Sequence, residues 1–319
     1  MYQLTMDDVL TLLLLNDNYL ILTHKKPDGD ALGSASALCK ILREKGKTAY
    51  ILGNNEMGKR FDNILEGTLA PEGFNADFVI SVDVADVKLL PANAQCYAEN
   101  IMLAIDHHPT NTGFAGHTYL EADAAATGEI IYKIMGNLGL KATKDFMTPI
   151  YIAVSTDTGC FRYSNTTAHS HIVAAKAIEV GVDTPEINKV FFETKSMARI
   201  AVEKDIYENI QYFYDNKVAF TKLTRATIDN NGATEDDLDN ISSILRKIEG
   251  IECGITATEQ PNGELKISVR SGEKVDASLA CRAVGGGGHK RASGATIAKE
   301  SAEEDLKKLI EAVGEQINA

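Results

Sequence analysis

The sequence predicts an α/β protein in two parts: a mostly parallel sheet with helices on both faces, then a smaller α+β domain. Three observations carry this expectation. Apolar strand segments alternate with helical segments as far as about Gly181, the order that builds a parallel sheet. Beyond that point strand-like segments cluster, and Asn262-Gly263 marks a hairpin turn between two of them. With 319 residues the chain is also long for a single core. The expected division is a first domain over 1–185, a helical linker over 186–212 and a second domain over 213–319.

In chain order, Thr5 caps a first amphipathic helix led by Asp7 and Asp8. Its run Leu12 to Leu15 is far too short to span a membrane, and no basic segment precedes it. Neither a membrane span nor a secretion signal is therefore expected, and the cytoplasm is the expected location. Tyr19 to Thr23 is an apolar strand, followed by a helix over Ala31 to Lys45 that Gly46 closes. Strands are expected at Thr48 to Leu52, Phe78 to Val82 and Ile101 to Ile105, then helices at Ala124 to Leu138, Lys144 to Thr156 and Thr167 to Val180. A charged helix, Lys195 to Ile210, leads into strands Val218 to Leu223, Ile251 to Thr258 and Leu265 to Val269. Helices at Asp236 to Ile248 and Glu303 to Ile317 would cover one face of that second sheet.

Hydrophobic residues at 44% and charged residues at 24% describe an ordinary globular chain. The five cysteines are scattered, odd in number and without a Cys-x-x-Cys pair, which fits reduced thiols. A net charge of −13 disfavours broad binding to long duplex nucleic acid. A small phosphate ester can still bind where cations and a local basic patch reverse the field.

The placement of acidic and histidine residues is the most informative feature. The first strand runs into His24, with Asp28 and Asp30 in the following turn; the strand Phe78 to Val82 ends at Asp83; the strand Ile101 to Ile105 ends at Asp106, His107 and His108. A fourth apolar segment, Tyr151 to Thr156, ends at Asp157. Strand C-termini of a parallel sheet share one edge, where ligands bind, so four segments deliver Asp or His to one place. A single Asp in such a position is ordinarily a cap or turn former; four coinciding at one edge are not. So many carboxylates cannot all stay ionised without a cation. Imidazole plus carboxylate, without thiolate, favours Mn²⁺, with Mg²⁺ or Co²⁺ as alternatives and zinc less suited. His24, Asp28, Asp30, Asp83, His107 and Asp157 are too many ligands for one open ion, so two ions are expected.

The ordered motifs His24-Lys-Lys-Pro27-Asp28-Gly29-Asp30-Ala-Leu-Gly33-Ser34, Ser81-Val-Asp83, Asp106-His107-His108-Pro-Thr-Asn111 and Thr156-Asp157-Thr158-Gly159 resemble those of the DHH phosphoesterases. The later Gly285-Gly286-Gly287-Gly288-His289 resembles the signature of their companion DHHA1 domain. Each motif is weak alone; the ordered set, from near residue 24 to near residue 294, is specific. The short two-domain form is similar to the bacterial branch of oligoribonucleases and 3′-phosphoadenosine 5′-phosphate phosphatases. That resemblance implies a dinuclear, manganese-preferring site with His24 and Asp28 on one ion, Asp30 and His107 on the other, and Asp83 and Asp157 between them. It implies that His108 faces the substrate phosphate with Asp106 supporting it. It also implies as substrates short single-stranded RNA, dinucleotides and 3′-phosphoadenosine 5′-phosphate. A membrane is not among the expected partners; a second copy of the chain is a candidate.

In the second domain, the glycine run with His289, Lys290 and Arg291 combines freed backbone N–H groups with cations, the makings of an anion-binding nest. Gly286, Gly287, Gly288, His289 and Arg291 are therefore candidate substrate-binding residues, although four glycines alone read as a linker. Arg270 and Ser271, at the end of the hairpin strand, join them through the resemblance. Arg162, five residues after Asp157, could reach a phosphate or make a surface ion pair. His169 and His171, two apart at a helix start, do not share a helical face and are not expected to hold a metal. Two rivals remain: a family II inorganic pyrophosphatase, whose second domain carries a Ser-Arg-Lys-Lys-Gln motif absent here, and a catalytically silent nucleotide sensor.

Overall fold

A computed structural model describes residues 4–238 and 240–318. The chain divides into two compact units, Met1–Thr194 and Lys195–Ala319. The division falls within the stretch expected to be a linker.

The first unit opens with α1 (Met6–Leu15), β1 (Tyr19–Leu22), α2 (Gly29–Glu44), β2 (Ala49–Ile51) and the short α3 (Asp62–Leu65). It continues through β3 (Phe78–Val82), β4 (Ile101–Asp106), β5 (His117–Leu120), α4 (Thr127–Asn137), α5 (Lys144–Asp157), α6 (Ala168–Glu179) and α7 (Thr184–Asn188). Among the described residues five strands form one parallel sheet in the order β2-β1-β3-β4-β5. Alternate residues of β1 enter different cores: Tyr19 and Ile21 pack with α2, α4 and α5 side chains, while Leu20 and Leu22 pack with Val79, Leu90 and Ala94 on the other face. Burial on both faces explains why these strands read as continuous apolar runs. The second face is covered in part by a 3₁₀ helix, Ala92–Asn100. β5 escaped the sequence reading because it is a four-residue edge strand beginning at the exposed His117.

The helix expected over Lys144 to Thr156 is α5, so the apolar segment Tyr151 to Thr156 is helical and Asp157 reaches the site from a helix C-terminus rather than a strand end. Small residues bring that helix close. A Cβ on Gly33 of α2 would lie 2.4 Å from the Pro149 carbonyl oxygen, and one on Gly128 of α4 would lie 2.5 Å from the Ala153 Cβ. Gly29 faces the Thr156 side chain at 2.3 Å by the same measure. Three glycines thus let α2 and α4 press on α5 and draw Asp28, Asp30 and Asp157 together.

The second unit contains α8 (Met197–Glu208), β6 (Gln211–Phe213), β7 (Val218–Leu223), α9 (Arg225–Asn230), β8 (Cys253–Glu259), β9 (Leu265–Ser271), α10 (Ala277–Arg282), β10 (Gly287–His289), β11 (Ala292–Ile297) and α11 (Ala302–Asn318). Its strands order as β10-β11-β9-β8-β7-β6, with β7 and β8 parallel and the other pairs antiparallel. The helix expected over Asp236 to Ile248 is instead three short 3₁₀ turns. Asn240, at φ 57°, interrupts the segment with a left-handed residue that a helix cannot carry through.

Candidate active site

The site is assembled at the C-terminal edge of the first sheet. His24 follows β1, and its Nδ1 lies 2.7 Å from the Lys25 carbonyl oxygen. His107 follows β4, with Nδ1 3.1 Å from the Ala124 carbonyl oxygen. A carbonyl can only accept, so each ring donates through Nδ1, which leaves Nε2 as the nitrogen turned toward the carboxylates and open to a metal. Asp28 caps α2, its Oδ1 accepting from the Asp30 and Ala31 amides at 3.0 Å each. Asp30 is fully buried and caps a different helix: Oδ2 accepts from the Thr127 amide at 2.7 Å and Oδ1 from the Gly128 amide at 2.9 Å. Ser34 adds a hydroxyl donor to the same Oδ1.

Asp83 occupies the centre. Its backbone is left-handed, φ 61°, a conformation that strains a residue with a side chain and recurs at functional sites. Its Oδ2 lies 3.9 Å from His24 Nε2, and its Oδ1 lies 3.7 Å from His107 Nε2. The Thr127 hydroxyl donates to Oδ1 at 2.9 Å. Three donor sets lie close enough to share an ion. The first is His24, Asp28 and Asp83; the second is Asp30, His107 and Asp157; the third is Asp83, His107 and His108. Within the second, His107 Nε2 is 3.8 Å from Asp30 Oδ2 and 3.7 Å from Asp157 Oδ2. Such separations are too long for hydrogen bonds and suit donors that share one ion about 2.1 Å from each.

The electrostatics favour a cation at this edge. Burial first, then the Asp83 and Asp157 charges, push Asp30 well above the carboxylate range. Burial and the Asp28 charge do the same to Asp83, and burial raises Asp157. Asp30 is nevertheless held by donors only, the environment of an ionised carboxylate. Divalent cations reconcile the two facts, and the imidazole-plus-carboxylate donor set fits them.

His108 Nδ1 lies 3.6 Å from Asp83 Oδ1 but is engaged by Asp106. Asp106 is fully buried, its Oδ1 accepting from His108 Nδ1 at 2.8 Å and from the His107 amide at 2.8 Å. Asn111 donates to its Oδ2 at 2.6 Å. Burial would raise Asp106, yet these bonds hold it below its ordinary value. The bond to Asp106 in turn lifts His108 to about 9 and leaves its Nε2 free. Arg162 lies on the loop after α5, where its Nε donates to the Gly159 carbonyl at 2.6 Å and its guanidinium faces the Phe192 ring.

The remaining candidates lie in the second unit. Gly287, Gly288 and His289 form the edge strand β10 paired with β11, and a Cβ on Gly286 would lie 2.3 Å from the Gly294 carbonyl oxygen. The glycine run is thus a hairpin arm held close to its partner strand. His289 and Arg291 are exposed, Arg291 3.6 Å from Glu273. Arg270 is half-buried, and burial lowers its guanidinium from its ordinary value. The Ser271 hydroxyl is buried and donates to the Val275 carbonyl at 2.7 Å. Arg270 and Gly287 line a groove of about 460 Å³ with Lys266, Ser268, Ser293 and Thr296. These four were missed, although the alternation of β9 sends Lys266, Ser268 and Arg270 to one face. Also missed was Thr127, because the expected helix began at Ala124 and so placed Thr127 inside it rather than at its first position. His171 stacks on Phe161 and His169 sits beside Tyr132, each among aromatic neighbours.

A parallel α/β sheet that gathers aspartates and histidines at one edge, in donor sets close enough to share an ion, defines a class of proteins suited to hold divalent metal. Within it, residues 18–154 match the DHH family N-terminal domain and residues 215–319 match the DHHA1 domain. The chain belongs to the DHH family, in the form that carries a DHHA1 domain. It is 28% identical over 306 residues to the bifunctional oligoribonuclease and PAP phosphatase NrnA of Thermus thermophilus, covering 93% of this chain and 89% of that one. It is 27% identical over 293 residues to the protein of the same name in Bacillus subtilis, covering 89% and 90%. Its fold is similar to that of an exopolyphosphatase-related protein from Bacteroides fragilis, with a TM-score of 0.86, 23% identity and coverage of 97% and 96%.

Proposed function

We propose that this chain is a two-metal phosphoesterase that hydrolyses short oligoribonucleotides and dinucleotides to mononucleotides, and 3′-phosphoadenosine 5′-phosphate to AMP. The observation that carries the reading is Asp83, which turns one oxygen toward His24 and the other toward His107. A carboxylate placed in this way would serve both donor sets. The relatives named as oligoribonucleases and PAP phosphatases align over nearly the whole chain and supply the substrate class. Manganese suits the donors best, with magnesium or cobalt as alternatives.

His24, Asp28 and Asp83 would hold one ion, and Asp30, His107 and Asp157 the other. The resemblance places Asp157 between the ions, and its Oδ2 contact with His107 supports at least its place in the second set. Divalent ions held there would supply Lewis-acid stabilisation of phosphoryl charge and activate water. His108, positioned by Asp106, stabilises charge on a phosphoryl oxygen through Nε2 and donates a proton to the leaving oxygen. Residues 1–185 carry this chemistry, 186–212 link, and 213–319 bind the nucleotide through Arg270, Ser271, Gly286, Gly287, Gly288, His289 and Arg291. Arg162 binds phosphate from the first domain. Ser271 enters through its backbone and its support of the strand end, since its hydroxyl is engaged internally. No helix among the described residues is long and apolar enough to cross a membrane. The free cysteines suit a reducing cytoplasm.

The test compares rates on a dinucleotide, a ten-mer, 3′-phosphoadenosine 5′-phosphate and pyrophosphate with Mn²⁺. Release of mononucleotide from the dinucleotide, stopped by chelation, is expected. Rapid turnover of pyrophosphate with no nucleotide cleavage would overturn the reading.

A further inference from the structure

The segment Ala124–Gly128 touches Asp30 and His107 of the second donor set, and Asp83 as well. The Ala124 carbonyl accepts from His107 Nδ1 at 3.1 Å. The Thr127 and Gly128 amides hold the two oxygens of Asp30. The Thr127 hydroxyl holds Asp83 Oδ1. Asp157 is tied to the segment through a side chain: Asn165 Nδ2 donates to the Ala125 carbonyl at 3.0 Å and to the Asp157 carbonyl at 3.2 Å. Of the first set only Asp83 touches the segment, through Thr127, while His24 is oriented by its own neighbour Lys25 and Asp28 by the start of α2.

Two side chains outside the ligand sets fix this segment. Glu129, 2% exposed, turns Oε2 back to the Ala125 amide at 3.4 Å. Its Oε1 accepts from the Ser170 hydroxyl at 2.6 Å, at the start of α6. The Ala125 N–H belongs to the same peptide group as the Ala124 carbonyl. The Glu129 carboxylate therefore polarises that group, strengthening the carbonyl as an acceptor for the His107 ring. Asn165 holds the next carbonyl and the Asp157 backbone together. The starts of α4 and α6, both positive ends of helix dipoles, flank the Glu129 carboxylate.

We infer that Glu129 and Asn165 are positioning residues that, through the Ala124–Gly128 segment, set the affinity of the Asp30–His107–Asp157 ion independently of the ion held by His24 and Asp28. This rests on the two-ion reading above. It predicts two unequal and separately adjustable metal affinities in one dinuclear centre. Partners that orient a ligating histidine typically change metal affinity by about ten- to a hundredfold.

The experiment titrates metal-free protein with Mn²⁺ by calorimetry and follows the free ion by electron paramagnetic resonance. The wild-type chain is expected to bind two ions. Asn165→Ala, a change at an exposed residue, should weaken one ion about tenfold or more and leave the other unchanged, with the melting temperature of the metal-free protein preserved. Glu129→Gln, which keeps shape and can still accept from Ser170, should weaken the same ion. Two ions weakened equally in Asn165→Ala, or neither weakened, would overturn this inference and leave the dinuclear reading standing. A wild-type chain that binds a single ion would overturn both.

Discussion

Asp83 meets two demands at once. Its backbone turns left-handed at the end of β3, and that turn lets one carboxylate face both histidines. Asp83→Ala should lower turnover on a dinucleotide at least a hundredfold while circular dichroism and melting of the metal-free chain show a folded protein; retained activity would count against the shared-ligand role. Asp106→Asn is expected to act through His108. The amide cannot supply the negative charge that lifts His108 to about 9, so the histidine should lose its proton at lower pH. Nuclear magnetic resonance titration of the metal-free variant should show the ring titrating nearer its ordinary 6.5. A residue remote from the chemistry gives a pH effect on stability. Glu203 is partly buried, which would raise it, but Lys195 and Arg199 hold its carboxyl below the ordinary 4.5. Its folded value lies below its unfolded one, so its stabilising contribution is present above pH 4.5 and lost as pH falls through the folded value. Glu203→Gln should flatten that acid limb in denaturant unfolding measured from pH 6 downward.

Among the elements, the contact of α2 and α4 with α5 depends on residues without side chains. Gly33→Val would push against the Pro149 carbonyl, which is backbone and cannot move aside alone. The expected loss is about 1–3 kcal/mol in chemical denaturation, with weaker Mn²⁺ binding because Asp30 and Asp157 are set by the same contact. Gly136 offers the contrasting case within α4: a Cβ there meets nothing within 4 Å. Gly136→Ala should stabilise the chain by about 0.5 kcal/mol; a loss of stability would contradict the open space. The sequence disclosed elements where one period dominates. β1 is an unbroken apolar run, β3 is interrupted only by Ser81, and β7 was bounded at Val218 and Leu223 as observed. It was less informative where tertiary pairing overrides local pattern. β10 is half glycine or more and becomes a strand only by pairing with β11. The segment after Asp236 has the apolar spacing of a helix, but Asn240 breaks it into turns. The donor residues were legible because Asp and His at strand ends are few and specific. Their supports, Thr127, Asn165 and Glu129, were not, because each acts across the fold on a residue distant in sequence.

At the scale of the whole molecule, an acidic chain carries a cationic ligand site and a separate groove containing Lys266 and Arg270. The net charge of −13 opposes long polyanions, while the local cations need to neutralise only a few phosphates. The rate per chain should therefore fall from a dinucleotide to a ten-mer, and rising salt should narrow the gap by screening the general repulsion. A ten-mer preferred at all salt concentrations would contradict this balance. His289→Ala should reduce use of nucleotides while sparing a small activated phosphodiester, since the residue lies on β10 outside the ligand sets. Equal loss on both substrates would count against a binding role.

Asp30 joins two scales, because its carboxylate is at once a metal ligand candidate and the cap of α4. Charge drawn from it by an ion must weaken its hold on the Thr127 and Gly128 amides. Those two backbone protons are built-in reporters of occupancy. Their resonances should shift toward those of less strongly bonded amides as a diamagnetic ion such as Mg²⁺ is added. Loading of the centre can thus be followed without substrate, product or a label.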